Sequence, residues 1–347
     1  MNSHAEGTST KANGNSAHAE GKNTDADGAY SHAEGYDTNA EGESSHAEGD
    51  GTEAIGKASH AEGYCTDAEG NYSHVEGSES KAYGEASHAE GASTTANGEA
   101  SHAEGAMTLA SGEGSHAEGL LSRTLGPISH AEGVYAIAEG FASHAEGSPI
   151  VLDEDGESVA YGPIDFPLSD GTTITAETNM AYGQVSHTEG VLTVAYGDIS
   201  HAEGMINIAS GIVSHVEGGE NIAEGIASHA EGVGNVVSGL ASHVEGYGNV
   251  VTGDVAHAEG TGNVTVGESS HAEGNETSAS GDYSHSQGNQ TTASGESSHA
   301  EGHGTKASNS YAHAEGNTTE ATGQASHAEG GLTKATNTSA HAEGQRT

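Results

Sequence analysis

A chain of 347 residues is long enough for two globular domains, yet it carries 54 Gly, no Trp and only two Phe, too little bulky apolar material for an ordinary core. With 32% hydrophobic residues and a formal net charge of -44, the composition is that of a disordered chain unless an internal order compensates. Eight Lys plus Arg against 52 Asp plus Glu repel a phosphate backbone, so nucleic acid is excluded as an expected partner.

The internal order is present from the first residues. Histidines stand at 4, 18, 32, 46, 60, 74, 88, 102, 116, 130 and 144, always 14 apart, within a unit exemplified by Ser31-His32-Ala33-Glu34-Gly35-Tyr36-Asp37-Thr38-Asn39-Ala40-Glu41-Gly42. Met1-Asn2-Ser3-His4 already lies in the pattern, without a basic n-region, apolar h-region or cleavage site, and no apolar run reaches transmembrane length. Membrane insertion and a Sec-type leader are therefore not expected. Cys65 stands alone, so no intrachain disulfide is available. Gly at every seventh position argues against a coiled coil, since each Gly costs a helix about 1 kcal/mol relative to Ala. It is also too sparse for collagen, which needs Gly every third residue. Two short strands and two tight turns per 14 residues remain, which predicts an all-β fold, a parallel β-solenoid with 14-residue coils over residues 1–147.

Strand alternation assigns the faces. So narrow a coil has room inside only for small side chains, which places Thr10, Ala12, Thr24, Ala26, Thr38 and Ala40 in a lumen ladder, with Val75 among its largest members. His and Glu then point outward: His4, Glu6, His18, Glu20, His32, Glu34, His46, Glu48, His60 and Glu62 are examples. Other outward positions vary freely, as Lys11, Asp25, Asn39 and Glu53 do, whereas His never changes in its row and Glu changes once, at Gln287. An invariant outward row is better explained by a contact than by water. A lumen of Ala and Ser also removes little apolar area at roughly 25 cal/mol per Å2, so lateral packing is expected.

Residues 148–183 interrupt the repeat. His144 and His187 are 43 apart, and Pro149, Pro163 and Pro167 fall between them. Ile150 to Ala160 reads as strand, acidic turn, strand, and Pro163 to Asn179 as a second hairpin with Ser169-Asp170-Gly171 at its centre. The arithmetic suggests two ordinary units plus 15 extra residues. Asp153, Glu154, Asp155, Ser169 and Asp170 are the candidate receptor contacts.

The pattern resumes over residues 184–347, where His201, Glu203, His229, Glu231, His271, Glu273, His299 and Glu301 extend the outward ladder. Asn replaces the inward Thr at 207, 221, 235, 249 and 263, and Val216 and Val244 replace Ala. Val194, Ile208, Ile222, Val236, Val250 and Val264 form an apolar outer stripe that the hairpins or a neighbouring fibre would cover. His303 is the single histidine out of register, at a variable and solvent-exposed turn position. Asn-x-Ser/Thr sequons begin at Asn71, Asn263, Asn275, Asn289, Asn317 and Asn337. No atypical capping unit occurs at either end, so pairing of open ends with other copies is expected.

S-H-A-E-G followed by A-x-G resembles the 14-residue repeats of trimeric autotransporter adhesin heads, S-V-A-I-G followed by A-x-G, matching at Ser, Ala and Gly. It is similar also to β-rolls in phage tail fibres. The resemblance implies a left-handed parallel β-roll in a homotrimeric rod, whose axis would be lined by the His and Glu positions where the family has apolar residues. Glu would then accept hydrogen bonds from imidazolium of a neighbouring chain or layer, raising the His pKa and giving greatest stability in mildly acidic to neutral solution. Three converging His could alternatively ligate Zn2+, Ni2+ or Cu2+. Mutual hydrogen bonding is the simpler account, and no cofactor is otherwise expected. Because the inward Thr ladder faces the lumen, ice binding is a minor reading, and no constellation suggests an enzyme. The expected function is that of a structural subunit of an extracellular filament or surface appendage, its trimers polymerising end to end. The alternative is an adhesin or phage tail fibre on a cell or virion surface that binds a host or cell-surface receptor through residues 148–183.

Overall fold

In a computed structural model of the chain, residues 2–148, 150–152, 158–160, 164–168, 173–176 and 178–346 are described. Their regular secondary structure is all β, with no helix. The chain divides into two compact units, one of Met1–Gly162 and Glu177–Val191, the other of Pro163–Ala176 and Leu192–Thr347.

Each coil of the first unit contributes a five-residue strand such as His32–Tyr36 and a two-residue strand such as Asn39–Ala40. Both pair in parallel with the next coil, residue for equivalent residue: His32 with His46, Ala33 with Ala47, Asn39 with Glu53. The long strands build one sheet and the short strands another. Backbone bonds continue between them, for example from His32 N to Ser45 O at 2.9 Å and from Asp37 N to Lys22 O at 2.9 Å. Stacking identical coils thus satisfies the backbone that a single coil would leave open.

The lumen is built from the residues that alternation predicts. Ala26, Ala33, Ala40 and Val75 are fully buried, as are Thr24 and Thr38, while Thr10 and Ala12 in the first coil are only half-buried. In most coils a Ser before the His turns inward and its Oγ donates to a glycine carbonyl three residues back, as Ser31 does to Gly28 at 2.7 Å and Ser45 to Gly42 at 2.8 Å. Glycine is demanded by proximity. A Cβ on Gly35, at φ +118°, would lie 2.1 Å from Gly49 O, and one on Gly42 would lie 1.9 Å from Gly56 O. The left-handed turn residues fall two places after each of these glycines, at Asp37 and Ser44 in this coil and at Tyr30, Ile128 and Val213 elsewhere.

The interruption is accommodated differently from the sequence arithmetic. His144 pairs directly with His187 and Ile137 with Met180, so the step of 43 contains a single coil and 29 further residues rather than two coils and 15. The departure falls at the turn between a long and a short strand, where the period does not limit the length of an excursion. Antiparallel pairs occur within it, Ile150–Leu152 with Ser158–Ala160 in the first unit and Ile164–Pro167 with Thr173–Ala176 in the second. Asp153, Glu154, Asp155, Ser169 and Asp170 lie outside the described residues.

In the second unit the coils repeat the same two-strand plan, with Val216, Val237, Val244 and Val251 buried in the lumen. Val194 and Ile208 of the outer stripe are completely buried, whereas Ile222, Val236, Val250 and Val264 are half-buried. The stripe is thus covered within the chain at its first two positions and half-buried beyond them.

Candidate functional site: a ladder of histidine and glutamate

Within each unit the long strands place the in-register His and the Glu two residues later, Gln287 after His285, on one outward face, because strand side chains alternate. His4, His18, His32, His46 and His60 with Glu6, Glu20, Glu34, Glu48 and Glu62 fall on this face in the first unit. His201, His229, His271 and His299 with Glu203, Glu231, Glu273 and Glu301 occupy it in the second. Parallel in-register pairing then stacks like on like. Imidazole rings of successive coils lie 4.7 Å apart at 2° between planes for His32 and His46, and 4.6 Å at 1° for His102 and His116. The separation is that of neighbouring strands.

Stacking half-buries side chains that the sequence places outside. The His32 side chain is 35% exposed and that of Glu34 38%. Within a coil, His Nε2 approaches the Glu carboxylate to 3.4 Å at His32 and Glu34 and to 3.6 Å at His102 and Glu104. These approaches are too long or too poorly angled for hydrogen bonds. Nε2 of His32, His60, His74, His88, His102, His116, His130 and His144 is buried without a hydrogen-bond partner in the chain. Toward a neighbouring layer, where a bond is expected, His116 approaches Glu104 only to 4.0 Å.

The direction of the pKa shift is accordingly the reverse of the expectation. Burial, followed by the neighbouring imidazoles, pushes His32, His60 and His88 below the ordinary histidine value, although the adjacent carboxylates oppose this. The same ordering holds at His102, His144 and His229. A carboxylate 3.6 Å away without a hydrogen bond cannot offset the lost hydration and the like neighbours on the stack.

The lumen carries a second ladder, where Asn replaces Thr. Asn221 Nδ2 donates to Glu217 O at 2.7 Å and to Gly232 O at 2.7 Å, and its Oδ1 accepts from Asn235 N at 2.8 Å. Asn235 and Asn249 repeat the arrangement coil by coil. By contrast, the hydroxyls of Thr24, Thr38, Thr52 and Thr108 have no partner in the chain. Asn263 is one of these lumen residues and completely buried, which closes its sequon to glycosylation. Thr38 and its equivalents likewise offer no flat outer face to ice, and His303 is exposed.

No family model matches the sequence, and no curated protein sequence is significantly similar to it. The likeness to adhesin heads and tail fibres rests on the S-H-A-E-G and A-x-G spacing alone.

Proposed function

We propose that the chain is a non-enzymatic structural subunit of an extracellular filament or surface appendage, and that its His and Glu face is the surface on which copies associate as a homotrimer. The observation that carries this reading is the outward His and Glu ladder within each unit. A half-buried row of stacked imidazoles with unpartnered Nε2 atoms is incompletely satisfied in one chain, and a second and third copy would supply acceptors and remove the remaining water. Resemblance to trimeric β-rolls supports the same stoichiometry and a left-handed coil. End-to-end polymerisation of trimers would make the filament.

Light scattering on the eluting protein together with cryo-electron microscopy tests this. A mass of three chains with fibres continuing past one subunit length is the expected result. A monomer that stays monomeric at high concentration would overturn it. The alternative, an adhesin or tail fibre, is favoured by one feature, the two antiparallel excursions that leave the coil between Gly147 and Thr178. Discrete trimers of a single subunit length that bind cells, and lose binding when Asp153, Glu154 and Asp155 become Ala, would replace the filament reading by this one.

A further inference from the structure

The outward ladder also brings ligating atoms together within a single chain, at the nitrogens that the trimer reading leaves to be satisfied by other copies. In the group His60, Glu62 and His74, one ligand atom from each side chain lies within 4.8 Å of each of the others, and all three residues are half-buried. The groups His88, Glu90, His102 and His102, Glu104, His116 have the same form, as do His116, Glu118, His130 and His130, Glu132, His144. We propose that these triads, two imidazoles from successive coils and the carboxylate between them, bind divalent transition-metal ions of the zinc class within a single chain. The proposal concerns the single chain, and an ion on these triads would compete with a neighbouring copy for the same nitrogens.

Three features of the site support it. Donor chemistry is the first: two nitrogens and one carboxylate oxygen form a set that suits zinc and its neighbours and discriminates against calcium and magnesium, which prefer oxygen alone. The second is the state of the nitrogens. Nε2 of His60, His74, His88, His102, His116, His130 and His144 is buried without a hydrogen-bond partner in the chain, while the carboxylate approaches it at 3.6 Å in four of these coils. Burial also favours neutral imidazole, the form that ligates, at His60, His88, His102 and His144. The third is distance. Donors at the outer limit of 4.8 Å would hold a shared ion about 2.8 Å from each, so each must close by at most about 0.7 Å to reach zinc bond lengths of about 2.0–2.2 Å. The rings must also turn out of the stack. Turned rings occur at the two ends of the column, where His327 and His341 stand at 85° and His4 and His18 at 60°.

The ladder sets its own stoichiometry. Consecutive triads share a histidine, as His102 is shared by two, so neighbouring triads compete and every second one is filled. The five histidines from His88 to His144 can therefore hold at most two ions, separated by about twice the strand spacing, or ~9.6 Å.

Zinc titration of the dialysed full-length chain at pH 7.5, followed by calorimetry and with magnesium as the control, tests the proposal. Zinc should bind at least about 100-fold more tightly than magnesium. The variant with His88, His102, His116, His130 and His144 all replaced by Gln should bind two fewer zinc ions per chain. X-ray absorption of the unaltered, zinc-loaded chain gives an answer even if that variant does not fold, and it should show about two imidazoles per ion. Three outcomes would overturn the inference: zinc held no better than magnesium, a shell of oxygen ligands alone, or one ion for every three chains, which would mean that the site is built between subunits.

Discussion

At the scale of single residues, the coil depends on two positions that differ in how plainly the sequence displays them. The glycine of S-H-A-E-G is needed twice over. At Gly105 the backbone has φ +103°, and a Cβ would lie 2.2 Å from Gly119 O. Gly105→Ala should therefore cost at least about 3 kcal/mol, combining overpacking against an immovable backbone with left-handed strain. Loss of amide-exchange protection confined to the coils around Gly105 and Gly119 would register it, and unchanged protection would contradict the steric account. The left-handed turn residue is less visible, because Ser, Ala, Tyr, Glu, Val and Ile all occupy it and Gly does so only at positions such as Gly51, Gly234 and Gly248. The regular glycines draw attention to themselves as turn formers, while the turn is made two residues later. At Val255, φ is 54° and the side chain is 59% exposed, so little packing is lost on truncation. Val255→Gly should stabilise its coil by about 1 kcal/mol, the relief of strain exceeding the extra unfolded-state entropy, whereas Val255→Ala should gain less. Local exchange protection compared across the two variants measures the difference.

At the scale of the coil, alternation and period made the inside and outside of each strand legible, since a narrow lumen admits only the row of small side chains. Ala33, Ala40 and Thr38 are inside and His32 and Glu34 outside for that reason. Two features depended on three-dimensional neighbours and could not be read from period. One is that the 43-residue step holds a single coil, which only the pairing of His144 with His187 reveals. The other is what Asn does in the lumen. A Thr hydroxyl can reach one carbonyl, as Thr66 does to Glu62 O at 3.2 Å, whereas Asn235 donates to both Glu231 O and Gly246 O and accepts from Asn249 N. Asn235→Thr should leave a carbonyl and the Asn249 amide unpaired and cost about 2 kcal/mol, appearing as faster exchange at Asn249. Exchange at Asn249 unaltered in the folded variant would mean that water in the lumen replaces the amide, and that the Asn row is not what holds these coils in register.

At the scale of the whole molecule, the ladder couples stability to pH through many equivalent groups at once. Burial and neighbouring imidazoles hold His32, His88, His271 and His299, among others, below the ordinary value near 6.5. As pH falls, the unfolded chain therefore takes up protons before the folded one, and stability shifts toward unfolding. The stabilising contribution is fully present above about pH 6.5 and is lost as pH falls through the folded-state values. The loss should be gradual, because a proton on one ring disfavours protonation of the rings 4.7 to 4.9 Å away on either side and the column titrates as a coupled set. In buffer containing a chelator, so that no metal competes with protons, the unfolding temperature should be level from pH 8 to about pH 6.5 and decline steadily toward pH 5.5. A maximum near pH 6 with a fall toward pH 8 would require imidazolium paired to carboxylate. That result would mean that association of copies, rather than the single chain's own desolvation, sets the protonation of the ladder.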